Sequence, residues 1–333
     1  MINLTNTSFI IPLYIESEDR LKNAKSVLGF LNKNFITNVL IHEVYEKNSK
    51  LNFIDKFNNL NITHLSQEKN SEVYHRTKYL NKLLSLVKTK VVCNYDIDVI
   101  LPVRSYVVSE YLIDNNLYDV VYPYGFGDYQ MQVSKDFTRT NFNKNFDISS
   151  INKDYLYNER SEYGHCIFFK TDSYKSFGAE NENFISYGPE DSERYFRAVN
   201  FGMNIHRIKD FVYHFEHERT SNSNKQNLHY VDNQELFDKI KKMSQSDILE
   251  YYSNLDYVKD YKFDIKLLKP DFNKNIDDSN FIKENFENNF LQENVQIVFN
   301  NIQSTPVNRN VCTCGEPINK IKYNYCQKCN RMY

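Results

Sequence analysis

The feature that most constrains this chain is an alternation of two patterns over roughly its first 100 residues. SFIIPLYI at residues 8–15 is a short apolar run with β-branched side chains between polar flanks, and it reads as a buried strand. SEDRLKNAKSVLGFLNKNF follows, with Leu21, Ala24, Val27, Leu28 and Leu31 at helical spacing and Ser17 placed to cap the first turn. NVLIHEVY at 38–45 gives a second strand and NITHLSQ a short third one. TKYLNKLLSLV at 77–87 repeats the amphipathic helix, and KVVCNYDIDVILP at 90–102 reads as one strong fourth strand. Strands alternating with helices imply a parallel sheet with helices on both faces.

Downstream, SYVVSEYLIDN continues as a helix and YDVVYPY as a strand. Residues 125–162 are rich in Asn, Lys and Asp and weak in period, so they read as long surface loops. GHCIFFKTDSYKSFG is a strand entering a short helix, and FVYHFEH at 211–217 is a strand entering a loop. Past Arg219 the pattern changes. QELFDKIKKMSQSDILEYYSNL reads as helical, and residues 270–305 as an Asn- and acid-rich connector.

A length of 333 residues allows one large or two ordinary domains. Lys and Arg total 41 against 43 acids, a formal net charge of −2, which excludes a nucleic-acid footprint spread over the whole chain. Aromatics make up 15%, with 26 Tyr and 24 Phe, enough apolar surface to fold despite the polar average. No run approaches the ~20 apolar residues of a membrane span. The N-terminal stretch MINLTNTSFIIPLY lacks a basic region and a small-residue cleavage site. A soluble, cytoplasmic protein is expected.

Three motifs carry chemistry. Asp96-Ile97-Asp98 closes the fourth strand. Positions two apart on a strand share a face, so both carboxylates are expected at the C-terminal edge, where open α/β sheets bind ligands. Such a pair can hold a divalent cation that also grips a diphosphate, or it can be two solvated acids. FISYGPEDSERYFRAVNFG at 184–202 breaks at Gly-Pro and then begins a helix. Pro189 suits the first turn, and Glu190 and Asp191 suit the positive end of the macrodipole, so an acidic cap alone explains them. The same place keeps a carboxylate ionised and ready to accept a proton from an attacking hydroxyl. His214 and His217 stand three apart at a strand end. They can converge on one cation if the chain bends there, or be incidental.

Four of the six cysteines fall in the last 22 residues, as Cys312-x-Cys314 and Cys326-x-x-Cys329 with 11 residues between the pairs. Without a secretion signal, metal is favoured over disulfides. Two close pairs across a hairpin-sized gap fit a tetrahedral Zn2+ site, with Gly315 in the first turn. So small a unit has almost no core, and zinc would supply its folding energy. From Asn301 onward five basic residues face one acidic. That is compatible with contact to a protein or a nucleic acid, and equally with a structural ribbon.

Taken in chain order, the motifs resemble the metal-dependent GT-A glycosyltransferases, and among them the β-1,4-galactosyltransferase and chondroitin-synthase-like group. The stretches that match are IIPLY (10–14), HRTKYLN (75–81), YDID (95–98), YGHCIFF (163–169), SFGAENENFISYGPED (176–191) and YHFEH (213–217). The resemblance covers residues 7–220. It implies a GT-A, Rossmann-like mixed sheet with flanking helices over residues 1–222. A helical extension and connector at 223–305 and the four-cysteine zinc ribbon at 306–333 follow. It implies an inverting enzyme that uses Mn2+ or Mg2+. Such an enzyme moves a hexose or N-acetylhexosamine from a UDP-sugar to a glycan or other hydroxyl acceptor.

By this resemblance Asp98, His214 and His217 would ligate the cation, and Asp96 would hold the ribose or the metal shell. Arg76 would contact the donor nucleotide, with Pro12, Tyr14 and Glu16 beside the uracil and ribose. Tyr187 and Gly188 would flank the sugars. Asp191 would be the general base, and Glu190 would orient the acceptor. Three departures bear on the donor. Tyr187-Gly188 stands where the group has W-G, and His165 stands where it has the second glycine of G-G. Ile15, Glu16 and Ser17 stand where it has arginines. UDP-galactose, UDP-N-acetylhexosamine and UDP-glucuronate all remain open. A nucleotidyltransferase would need a Gly-rich phosphate loop that SFIIPLYIESEDR lacks. The remaining alternative is a non-catalytic scaffold that binds protein or nucleic acid through its ribbon.

Overall fold

The apolar run at 8–15 becomes the second half of a long central strand, β1 (Ile2–Tyr14), in this computed structural model. The structure describes residues 1–260 apart from 48, 72 and 160, and a strand pair at 325–326 and 331–332. Phe9, Ile10 and Ile11 are fully buried, as in a strand covered on both faces. β1 pairs in parallel with β2 (Phe35–Tyr45) on one side and with β4 (Val91–Tyr95) on the other, and β3 (Leu60–Glu68) lies beyond β2. β9 (Cys166–Lys170) pairs antiparallel with both β4 and β6 (Val120–Tyr122), and β10 (Ile205–Arg207) runs parallel to β6. The order β10-β6-β9-β4-β1-β2-β3 makes a mixed seven-stranded sheet, with β9 alone reversed.

Helices fill the crossovers. In α1 (Glu18–Asn34) the Ser17 side chain accepts from the Arg20 N–H, and Ala24, Val27, Leu28 and Leu31 face the core. α2 (Arg76–Leu84), α3 (Val103–Asp114), α5 (Thr171–Ser176) and α6 (Glu190–Asn200) follow the strands as the periodicity suggests.

Two expectations need correction. The run at 90–102 is not one strand. β4 ends at Tyr95, the chain turns with Val99 N–H donating to the Asp96 carbonyl, and β5 (Val99–Ile100) joins a second sheet. That sheet has the order β5-β11-β7-β8, where β11 is Val212–Phe215. Residues 125–162 are not all surface loop, because β7 (Gln130–Val133), α4 (Phe142–Asn145) and β8 (Leu156–Asn158) lie within them. Strands of four and three residues are too short to show a period. Their anchors Val133, Phe137, Phe142 and Ile151 are isolated apolar positions, each buried. The stretch after 230 is helical as expected, in two helices, α7 (Tyr230–Lys241) and α8 (Gln245–Ser253). Ser244 and Asp247 form a capping box that starts the second, a local signal masked by the continuous helical period.

The chain divides into the units Met1–Pro270 and Asp271–Tyr333. In the second, β12 (Tyr325–Cys326) pairs antiparallel with β13 (Arg331–Met332). Cys312, Cys314 and Cys329 lie outside the described residues, as do the connector at 270–305 and the surroundings of the Cys326 side chain. Among the described residues no helix is long and apolar enough to cross a membrane.

Candidate active site

β1 and β4 are parallel neighbours, so their C-terminal ends open on one edge of the sheet. A cleft of about 520 Å³ lies there. Pro12, Tyr14, Glu16, Arg76, Asp96, Asp98, Tyr187, Gly188, Glu190, Asp191, His214 and His217 all line it.

At one end stand Asp98 and the two histidines. The two acids of the D-x-D motif do not project side by side from a strand. They sit in the turn beyond β4, and their carboxylates part company. Asp96 Oδ1 accepts from Arg76 Nη2 at 2.7 Å. Asp98 is buried and faces His217 Nε2 at 3.3 Å, His214 Nε2 at 3.7 Å and Arg20 Nη1 at 3.8 Å. The second sheet creates this meeting. β5 follows the turn directly and pairs with β11 so that Val99 lies opposite His214, and Phe215 N–H donates to the Asp98 carbonyl.

Each imidazole is held from behind. His214 Nδ1 bonds the Glu159 carboxylate at 2.9 Å, and His217 Nδ1 bonds the Glu218 carbonyl at 2.7 Å. In its neutral form each ring therefore keeps its hydrogen on Nδ1 and aims the Nε2 lone pair at Asp98. The ligand atoms of Asp98, His214 and His217 lie within 4.8 Å of one another. Burial disfavours charge on His214, but Asp98 and Glu159 outweigh it and lift the ring to about 10. Burial likewise disfavours charge on Asp98, yet His214, His217 and Arg20 hold its carboxyl well below the usual range. The centre carries negative charge that draws a proton in the absence of another cation. A carboxylate with two braced imidazoles is a donor set that suits a divalent cation.

At the other end α6 begins directly after Pro189, which is its N-cap. Asp191 Oδ1 accepts from Arg194 Nη2 at 2.6 Å, one turn along the same helix, and lies 3.6 Å from Arg76 Nη1. Arg194 is buried and pairs with Glu180 at 2.7 Å. Gly164 lets the carboxylate settle against the backbone, since a Cβ there would stand 2.9 Å from Asp191 Oδ2. Burial opposes the charge on Asp191, but Arg194 and Arg76 outweigh it and keep the group ionised. Glu190 differs. It is only 7% exposed, and its Oε2 is buried without a hydrogen-bond partner. Burial, and then the charge of Asp191, push it up to about 8. Two adjacent acids are thus one ionised and one neutral at pH 7, the split that separates proton acceptor from donor.

The edge between these ends is tied by polar contacts. Tyr14 stacks on Tyr74 with ring centroids 5.6 Å apart, and its hydroxyl donates to Glu46 at 2.6 Å. Glu16 accepts from Thr220 Oγ1 and Asn222 Nδ2, both at 2.9 Å, fastening the segment after β11 to the end of β1. Tyr187 stacks on Tyr230 of α7 with centroids 5.9 Å apart. Gly188 makes room for Asn233, whose Nδ2 would stand 2.7 Å from a Cβ there.

Sequence reasoning missed Glu159, Glu180, Arg194, Arg20 and Arg219 as parts of the cleft or its support. Arg194 was signalled by its i+3 spacing from Asp191. Glu159 carried no local signal, because it follows a three-residue strand in a segment without period.

No family model matches the sequence, and no curated protein does. Among solved structures the chain is similar to S. aureus TarS at 16% identity, with a TM-score of 0.47. That match covers 73% of this chain and 41% of TarS, so the chain spans about two fifths of that protein's length. A structure of S. aureus TarS 1–349 in complex with UDP-GlcNAc matches at 14% identity, over 74% of this chain and 70% of that one, with a TM-score of 0.44. Mannosyltransferase PcManGT from Pyrobaculum calidifontis, in complex with GDP-Man and Mn2+, matches at 11% identity, over 78% and 69% of the two chains, with a TM-score of 0.44.

Proposed function

We propose that this chain is a cation-dependent GT-A glycosyltransferase that transfers a hexose or N-acetylhexosamine from a UDP-sugar to a hydroxyl acceptor with inversion. One observation carries the reading: Asp98, His214 and His217 face one point in the same cleft as a split pair of acids, Glu190 and Asp191. The cleft is lined by seven carboxylates and three arginines, so a nucleoside diphosphate would enter it only with its charge offset. Bound at Asp98, His214 and His217, Mn2+ or Mg2+ would offset the charge of the diphosphate as it leaves.

The protein's own groups do the rest. Asp191 accepts the proton of the acceptor hydroxyl as that oxygen forms its bond to the anomeric carbon. The bond from that carbon to the diphosphate breaks on the opposite face, and no covalent enzyme intermediate is needed. Neutral Glu190 donates a hydrogen bond to the acceptor and adds no charge beside Asp191. Arg76 bridges Asp96 and Asp191 and so fixes the distance between the two ends of the cleft. Tyr74, backed by the stacked ring of Tyr14, offers an aromatic surface for the nucleotide base, and Tyr187 one for a sugar ring. For the C-terminal cysteines, a structural Zn2+ ribbon remains part of the proposal.

The test is nucleotide release from a panel of UDP-, GDP- and CMP-sugars, with Mn2+ and with chelator. Mn2+-dependent release of UDP, with a β-linked product from an α-linked donor, is expected. Absence of release from every donor would favour a non-catalytic scaffold.

A further inference from the structure

His165 lines the cleft and has no task in the proposed reaction. It immediately precedes β9 in left-handed backbone, with φ 65°, which costs a non-glycine residue about 1 kcal/mol or more. Its side chain is 6% exposed, and its Nε2 is buried without a hydrogen-bond partner among the described residues. That atom looks across at Glu159 Oε2, 3.6 Å away, and the same oxygen is 2.9 Å from His214 Nδ1. Glu159, His165 and His214 offer ligand atoms that lie within 4.8 Å of one another. Ligands about 2.0 Å from a tetrahedral ion stand about 3.3 Å apart, and the two measured separations bracket that value.

The geometry points to a second divalent-cation site, formed by Glu159, His165 and the Nδ1 face of His214, that takes Zn2+ and excludes an ion at Asp98. The exclusion follows from the ring. A neutral imidazole has one lone pair. When His214 gives its Nε2 lone pair to an ion beside Asp98, Nδ1 keeps its hydrogen and donates to Glu159. When it gives Nδ1 to an ion beside Glu159 and His165, the hydrogen moves to Nε2, which then donates to Asp98. His214 therefore serves one ion at a time. Each set has one carboxylate and two nitrogens, so both rank Zn2+ above Mn2+, and zinc held at the second site would act as an off-switch for the first. That consequence rests on the proposed function, but the binding itself does not.

The test counts tightly bound Zn2+ by competition with a chromophoric chelator, on the full chain with its C-terminal cysteines present throughout. His217→Ala breaks the first site and leaves the second. It is expected to bind as much zinc as the unsubstituted protein. Adding His165→Gly, which suits the left-handed backbone, should remove one Zn2+ from that count. His165→Asn, tolerant of the same backbone, should do likewise and guards against a folding artefact. An equal count in His217→Ala with and without the His165 substitutions would overturn the second site. One more Zn2+ in the unsubstituted protein than in His217→Ala would overturn the exclusion. None of these counts depends on turnover. A protein that releases no UDP would sink the proposed function and leave the zinc result standing.

Discussion

The two ends of the cleft each hold a carboxylate, Asp98 buried and Asp191 half-buried, with different counter-charges. Asp98 is faced by two imidazoles, whose charge comes and goes with a proton, and by the permanent charge of Arg20 at 3.8 Å. Asp191 is gripped by Arg194 and Arg76, whose charge is permanent at any working pH. The first arrangement allows the counter-ion to be exchanged. The second keeps one carboxylate ionised whatever else binds. An exchangeable end suits a cation that arrives with its substrate, and a permanent end suits a proton acceptor.

Substitutions can break this contrast. The largest effect is expected from Asp98→Asn. It should abolish Mn2+ binding, followed by the EPR signal of free Mn2+, and lower UDP release by about 1,000-fold or more. Release within 10-fold of the unsubstituted protein would remove Asp98 from the cation reading. Asp191→Asn should lower kcat by roughly 100- to 10,000-fold, while the Kd for UDP in calorimetry stays within about twofold. A matching loss of UDP affinity would mean that the residue shapes the donor site instead of taking the proton. Glu159→Gln should weaken Mn2+ affinity by about 10- to 100-fold, because it loosens the brace behind His214 and leaves the ligands in place.

The smallest effect concerns Glu190 and reads in the pH profile. Its carboxyl is neutral below about 8 and ionises above it. Ionisation removes the hydrogen-bond donor and adds a negative charge beside Asp191, so kcat/KM should fall as pH rises through that value. Glu190→Gln cannot ionise and should lose that descending limb while keeping most activity at pH 7. An unchanged limb would assign the titration elsewhere.

How much of this was legible in the sequence varied with length scale. The strands β1, β2 and β4 were readable because strands buried on both faces carry continuous apolar runs, such as Phe9 to Ile11. The acids and histidines of the cleft stood out because carboxylates and imidazoles cluster in chain order near strand and helix ends. What the sequence hid was the turn at Asp96–Asp98, which sends one acid to Arg76 and the other to the histidines. It also hid the second sheet, whose strands run from two to four residues. Pairings that short are set by tertiary contact, so no local pattern could announce Glu159 behind His214.

The packing of α7 and α8 has a consequence for when the cleft takes shape. Asn233 bonds the backbone of Ile185 at 2.9 and 3.2 Å and the carbonyl of Tyr187 at 3.0 Å, propping the turn that leads into Asp191. Tyr252 donates to Glu193 at 2.5 Å and lies 4.3 Å from the guanidinium of Arg197, pinning the helix that follows. A ribosome must therefore carry synthesis past Tyr252 before the helix bearing Asp191 is locked. By then β1 emerged more than two hundred residues earlier. The strands β1 to β4 are made early and the helix that carries Asp191 is locked late, so this end of the cleft matures after the sheet edge it faces.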